Sequence, residues 1–147
     1  MSHYVLVHGA WEGSWTWNNI LPTLEKQGQT ATTVDLPGSF GNPQPISQVT
    51  MDRYVEMVVS TIRRLDGKVI LVGHSMAGAI ISQVAELIPE KIERLVYVAA
   101  FLLKNGGSVL GAMQEDPNGE FLPELIFSED QSYASATENI SSGRNSP

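Results

Sequence analysis

The stretch at residues 68–89, KVILVGHSMAGAIISQVAELIP, decides how the chain folds. Val69, Ile70, Leu71 and Val72 are continuously apolar and mostly β-branched, as in a strand buried on both faces. A helical pattern follows at once, after Gly73-His74-Ser75-Met76-Ala77-Gly78. A chain passes from strand to helix this abruptly only through a sharp turn that holds its central residue in a strained conformation. Small residues two before and two after that residue avoid clashes with the adjoining strand and helix. Gly73 and Ala77 meet that demand, and Gly78 adds room. Ala77 stands where the G-x-S-x-G pattern has its last glycine, a departure that sterics tolerate because only a small side chain is required. Such a turn is a nucleophile elbow. It lifts the Ser75 hydroxyl above the C-terminal edge of the sheet, at a helix N-terminus whose positive dipole end favours developing negative charge. The Met76 N–H then points to where an oxyanion forms.

A second constellation, His8-Gly9-Ala10-Trp11 and then Glu12-Gly13-Ser14-Trp15-Thr16-Trp17, follows another apolar run. Acyl transfer needs two preorganised N–H donors, and the strand-to-helix loop beside an elbow supplies the second. Ala10 is the expected donor, and Gly9 lets the backbone approach a substrate closely. Losing one such donor costs about 10²- to 10³-fold in rate. His8 reads as a histidine that braces the loop, not as a general base. The tryptophans read as packing and site-wall residues, since they bury large apolar area wherever they fall. His74 leaves the elbow sideways, toward packing or a supporting hydrogen bond, and with Gly9 and Trp11 it makes up the expected substrate-binding set. Glu86, Glu90 and Glu93 read as a solvated face, and the spacing of His3, His8 and His74 suits no metal.

Runs like the one before the elbow recur at residues 4–7, 30–34 and 95–98, with helical patterns between them. That alternation predicts an α/β fold, a parallel sheet covered by helices. A helix is expected at residues 16–27, with Pro22 tolerated early and Gly28 as its stop. Thr50 caps a clearer one, whose apolar Met51, Val55, Val58, Ile62 and Leu65 recur at spacings of four and three. A third starts at Met76 and ends near Ile88, where Pro89 forbids continuation. Between residues 35 and 50 the chain is rich in Pro and Gly, a loop leaving the C-terminal end of a strand. After Phe101 it turns sparse, polar and irregular. The expected organisation is therefore a core at residues 1–104, the start of a lid or cap at 105–139 and a disordered tail at 140–147.

Length and composition bound the function. The chain has 147 residues, near the common size of one domain. A formal charge of -7 repels phosphate backbones and anionic lipid, so nucleic acid and membrane are not expected partners. The absence of cysteine excludes disulfides and thiolate metal sites and suits a reducing compartment. No basic leader precedes the first apolar run, and no segment nears the roughly 20 apolar residues of a membrane span, so a cytoplasmic location is expected.

The segments VLVHGAWEGSWTW, VDLPG, VGHSMAG and VYVAAFL make the chain resemble the α/β-hydrolase superfamily, within it the branch of plant methylesterases, hydroxynitrile lyases and their bacterial esterase relatives. The resemblance covers about residues 4–139. It implies a carboxylesterase with Ser75 as nucleophile, the N–H groups of Ala10 and Met76 as oxyanion hole, small esters as substrates, no cofactor, and a possible homodimer. Lyases of this branch tend to carry Thr where this chain has Gly9 and Glu where it has His74, so both positions look esterase-like.

One feature departs from the family, whose acid and base follow the serine in the order Ser, Asp, His. All three histidines of this chain lie before Ser75, and no later Asp matches the acid. The chain therefore reads as the N-terminal part of the fold, from a truncation or a frameshift near Asn139. By itself it is expected to hydrolyse esters barely at all, because losing the histidine costs about 10⁶-fold in turnover. The alternatives are a non-catalytic fragment or ligand-binding product and, on weaker grounds, a hydroxynitrile lyase.

Overall fold

Continuously apolar strands become the inner members of a parallel sheet, because only there are both faces covered. In the computed structural model, which describes residues 1–138, four strands are β1 (His3–Val7), β2 (Thr30–Val34), β3 (Val69–His74) and β4 (Ile92–Val98). They pair in the order β2-β1-β3-β4, all parallel. The tail expected at residues 140–147 lies outside the described residues.

Burial on both faces holds for the central pair, where Val5, Val7, Val69 and Leu71 are completely buried on one side and Leu6, Ile70 and Val72 are buried on the other. It does not hold for the outer strands. β2 is fully buried only at Val34, and β4 exposes Glu93, Arg94 and Val98. Both stand at the margins of the described sheet, where cover is partial. The β3–β4 register slips between Val69, opposite Ile92, and Ile70, opposite Arg94, so Glu93 bulges out of the ladder.

Alternation along the strands divides the core in two. On one face Val5, Val7, Val69 and Leu71 meet two helices. These are α2 (Met51–Arg63), which presents Val55, Val58 and Ile62, and α3 (Ala77–Leu87), which presents Ile80, Ile81 and Val84. Each such aliphatic side chain contributes about 1.5–3 kcal/mol by burial. On the other face Leu6, Ile70 and Val72 pack with Trp17, Leu21 and Leu24. The Thr50 hydroxyl caps α2 as expected, accepting the Arg53 N–H at 3.3 Å.

The helix expected at residues 16–27 is two pieces, a 3-10 turn at Ser14–Trp17 and α1 at Leu21–Lys26. Pro22 is the cause. It has no N–H to donate, and inside a longer helix its ring would strike the carbonyl of Asn18, so it sits in the first turn of a new one. Gly28, at a φ of 72°, ends α1 in a Schellman motif. Its N–H donates to the Glu25 carbonyl at 2.9 Å, and the Gln29 N–H donates to the Leu24 carbonyl at 3.0 Å.

The chain divides into two compact units, Met1–Leu103 and a second beginning at Lys104. The second holds more regular structure than its sparse pattern suggests. Ser108 caps α4 (Val109–Gln114), its hydroxyl accepting the Gly111 N–H at 3.0 Å. An antiparallel hairpin pairs β5 (Leu125–Phe127) with β6 (Ala134–Ala136). Asp130 shapes the connection by accepting from the Ser128 hydroxyl and from the hydroxyl and N–H of Ser132, bonds that hold its carboxyl below the ordinary range. Among the described residues no helix is long and apolar enough to cross a membrane.

Candidate active site

Strand β3 ends at His74 and α3 begins at Ala77, which leaves Ser75 and Met76 to make the turn. Ser75 has a φ of 53°, in the left-handed region that L side chains avoid. Backbone hydrogen bonds hold it there. Its N–H donates to Val98 at 3.4 Å, and its carbonyl accepts the N–H groups of Gly78 and Phe101, each at 3.1 Å. Two glycines make the turn possible. A Cβ on Gly73 would lie 2.9 Å from the Ala77 carbonyl oxygen, and one on Gly78 would run into the Phe101 backbone. The demand for small residues around Ser75 is therefore met by contacts with α3 and with the segment after β4. Ser75 is half-buried, and its hydroxyl has no hydrogen-bond partner among the described residues.

The loop after β1 reaches the same place. A Cβ on Gly9 would stand 2.9 Å from Ser75 Cβ and 3.2 Å from the His74 carbonyl oxygen. The Gly9 N–H is already engaged, donating to Glu12 Oε2 at 2.8 Å. By contrast, the N–H groups of Ala10 and Met76 have no partner among the described residues. Backbone donors at a partly sheltered site are rarely left unpaired unless water or a ligand takes them.

The tryptophans separate by environment. Trp17 is buried in the core, Trp15 is exposed, and Trp11 is half-exposed at a φ of 60°. Trp11 therefore stands next to the Gly9–Ala10 segment in a second left-handed turn.

Each histidine has a definite task. His3 bonds Thr30 and Thr32 through its two ring nitrogens, each at 2.8 Å, and so ties β1 to β2. His8 is buried, and the Leu36 N–H donates to its Nε2 at 3.0 Å. That acceptor must be unprotonated, so Nδ1 carries the proton and donates to the Gly9 carbonyl at 2.8 Å. His8 is thus a brace between the loop and the end of β2, the reading the sequence favours. His74 sends its ring sideways, with Nδ1 2.9 Å from Glu12 Oε2.

Two carboxylates escaped the sequence reading. Glu12 serves both Gly9 and His74. Asp35, at the end of β2, accepts from the Ser14 N–H and hydroxyl, each at 2.8 Å, and pins the turn that follows the loop. The only available signal was position: Asp35 follows its strand directly, and Glu12 stands three residues after Gly9. A separate cleft of about 320 Å³, between the loop at residues 37–48 and α2, is lined by Arg53, Glu56 and Arg64 and does not include Ser75.

A family model described as "Alpha/beta hydrolase family" matches residues 4–141. An alpha-hydroxynitrile lyase of Arabidopsis thaliana is 42% identical over 103 residues, covering 68% of this chain and 40% of the lyase. Putative methylesterase 11, chloroplastic, of the same plant is 40% identical over 112 residues, 74% of this chain and 29% of the methylesterase. The chain thus spans less than half the length of these curated relatives. The chloroplastic name lends no support to the cytoplasmic expectation. Among solved structures, a pyrethroid hydrolase superposes with a TM-score of 0.82 at 28% identity, covering 95% of this chain and 57% of that one. The four-stranded parallel sheet with its helices agrees with the fold of that solved neighbour, and the chain belongs to the alpha/beta hydrolase family.

Proposed function

We propose that the chain carries the nucleophile and oxyanion hole of a serine carboxylesterase acting on small carboxylic esters. Ser75 attacks the ester carbonyl, and the N–H groups of Ala10 and Met76 receive the oxyanion. Gly9, Trp11 and His74 border the substrate. The chemistry needs no cofactor, because the serine itself forms and releases the acyl group. The observation that carries this reading is the left-handed turn at Ser75, closed by Gly9, with the N–H groups of Ala10 and Met76 in the two adjoining segments left without a partner among the described residues. The similarity to a methylesterase and to a pyrethroid hydrolase supports the reaction class.

The base is the open element of this reading. His3 and His8 have both ring nitrogens engaged, and His74 gives Nδ1 to Glu12. An unactivated serine is a weak nucleophile at neutral pH, so the 147-residue chain alone turns over esters slowly.

The test compares p-nitrophenyl acetate hydrolysis by the full-length gene product, by the 147-residue chain and by Ser75→Ala in each. A full-length rate that Ser75→Ala abolishes supports the proposal, and a rate that Ser75→Ala leaves intact overturns it. The identity to a hydroxynitrile lyase keeps one rival in view. Cyanide release from a cyanohydrin without ester hydrolysis decides for that rival.

A further inference from the structure

One carboxylate oxygen joins the two segments that carry the proposed donors. Glu12 Oε2 accepts the Gly9 N–H at 2.8 Å and lies 2.9 Å from His74 Nδ1. An ionised carboxylate only accepts, so His74 donates to it from Nδ1. The two side chains are partly shielded, at 23% and 31% exposure, which strengthens charge-assisted bonds relative to those on open surface. Regular pairing between β1 and β3 stops at Val7, opposite Gly73. Past that point the loop is held to the turn by Glu12 reaching across 62 positions in sequence.

We propose that Glu12 is a positioning residue that locks the Gly9–Ala10 segment against the Ser75 turn and so sets the spacing of the two oxyanion donors. The inference rests on the esterase reading for its catalytic meaning and on geometry alone for the tether. Because Glu12 takes the Gly9 N–H, the neighbouring Ala10 N–H is the one left to face a substrate. Because the same oxygen holds His74, any shift of the loop must break a bond to the residue directly before Ser75. Without the carboxylate the Gly9 N–H loses its anchor to the turn, and the His8 bond to the Gly9 carbonyl holds the segment to β2 but not to Ser75. A displacement of about 1 Å in such a donor costs roughly 100-fold in rate.

The experiment has two arms. In the isotope-labelled 147-residue chain, amide NMR reads the tether without any catalysis. The wild-type Gly9 amide proton is expected well downfield, as carboxylate-bound amides are. Glu12→Gln, which keeps an acceptor oxygen, retains part of that shift. Glu12→Ala loses it and moves the Ala10 and Met76 amides together. An ordinary Gly9 shift in the wild type overturns the proposal even if the alanine variant does not fold, and so does an unaltered downfield shift in a folded Glu12→Ala.

The second arm measures ester hydrolysis by the full-length gene product. Glu12→Ala is expected to lower kcat roughly 10- to 100-fold with KM changed by no more than about twofold, and Glu12→Gln to restore most of the loss. A rise in KM at constant kcat overturns the positioning role. If the wild type hydrolyses no ester, the esterase reading fails, and the NMR arm still decides whether the tether exists.

Discussion

Gly9 faces Ser75 so closely that a methyl group on its Cα would stand 2.9 Å from the Ser75 Cβ, well inside the usual carbon–carbon contact distance of about 3.5–4.0 Å. The same methyl would lie 3.1 Å from Glu12 Oε2 and 3.2 Å from the His74 carbonyl oxygen, so it has no side to escape to. Glycine is demanded here by the distance between two segments and not by a left-handed backbone.

Gly9→Ala is therefore expected to push the loop off the turn. Overpacking of this kind costs about 1–3 kcal/mol, to be read as a lower urea midpoint at unchanged slope. If the full-length product hydrolyses esters, kcat should fall further than stability requires, because the displaced peptide carries the Ala10 N–H. An unchanged urea midpoint contradicts the contact.

Gly78→Ala sets two effects against each other. Alanine gains up to about 1 kcal/mol over glycine in a helix interior, and less at Gly78, the second residue of α3. Its Cβ, however, would run into the Phe101 backbone, whose N–H is bound to the Ser75 carbonyl. Neither backbone can give way without lengthening that bond, so the clash outweighs the propensity, and a net loss of about 2 kcal/mol is expected. Thermal and urea unfolding measure it, and a stabilised variant would show that α3 is free to move away from Phe101.

These two glycines mark the limit of what the sequence discloses. The turn at Ser75 is legible because an apolar strand, a small-residue turn and a helix follow one another without a gap, and each link is local. Gly73 and Ala77 follow from the same local demand. What presses on Gly78 is Phe101, a residue placed by the next strand, and no local pattern announces it. Glu12 and Asp35 were missed for the same reason. A carboxylate in a polar loop looks solvated until the fold brings His74 or Ser14 to it across 62 or 21 positions. The division of the first helix did have a signal, since Pro22 marks a helix start as readily as an early interior position. The partial exposure of β2 had a signal as well, in Thr30, Thr32 and Thr33, whereas that of Val98 on β4 had none, because periodicity carries no information about strand order.

Alkaline pH should reveal how Tyr54 is held. Its side chain packs from α2 against the core, and burial raises its phenol above the ordinary value of 10.0. The folded state then keeps a proton that the unfolded chain releases. Stability is thus fully present below the unfolded value and is lost as pH rises through the folded one. Tyr54→Phe has no phenol to ionise there, so its stability should decline less steeply above a pH of about 10. Urea midpoints of both proteins along an alkaline series test this, and parallel declines would assign the loss to other groups.

The strain at Ser75 predicts a variant that gains stability by giving up the proposed nucleophile. A non-glycine residue in the left-handed region costs about 1–2 kcal/mol. Ser75 is held at its φ of 53° by bonds to Val98, Gly78 and Phe101, so the turn cannot relax to escape that cost. Ser75→Ala removes the hydroxyl and leaves the strain. Ser75→Gly removes both, at a cost of about 0.5–1 kcal/mol for the extra freedom of the unfolded chain. The relief is the larger quantity, so Ser75→Gly should be more stable than Ser75→Ala by about 0.5–1 kcal/mol, within reach of paired denaturant titrations. Equal midpoints, or a less stable glycine variant, would mean that the turn accommodates a side chain without strain, and the physical case for a stressed elbow at this serine would be lost.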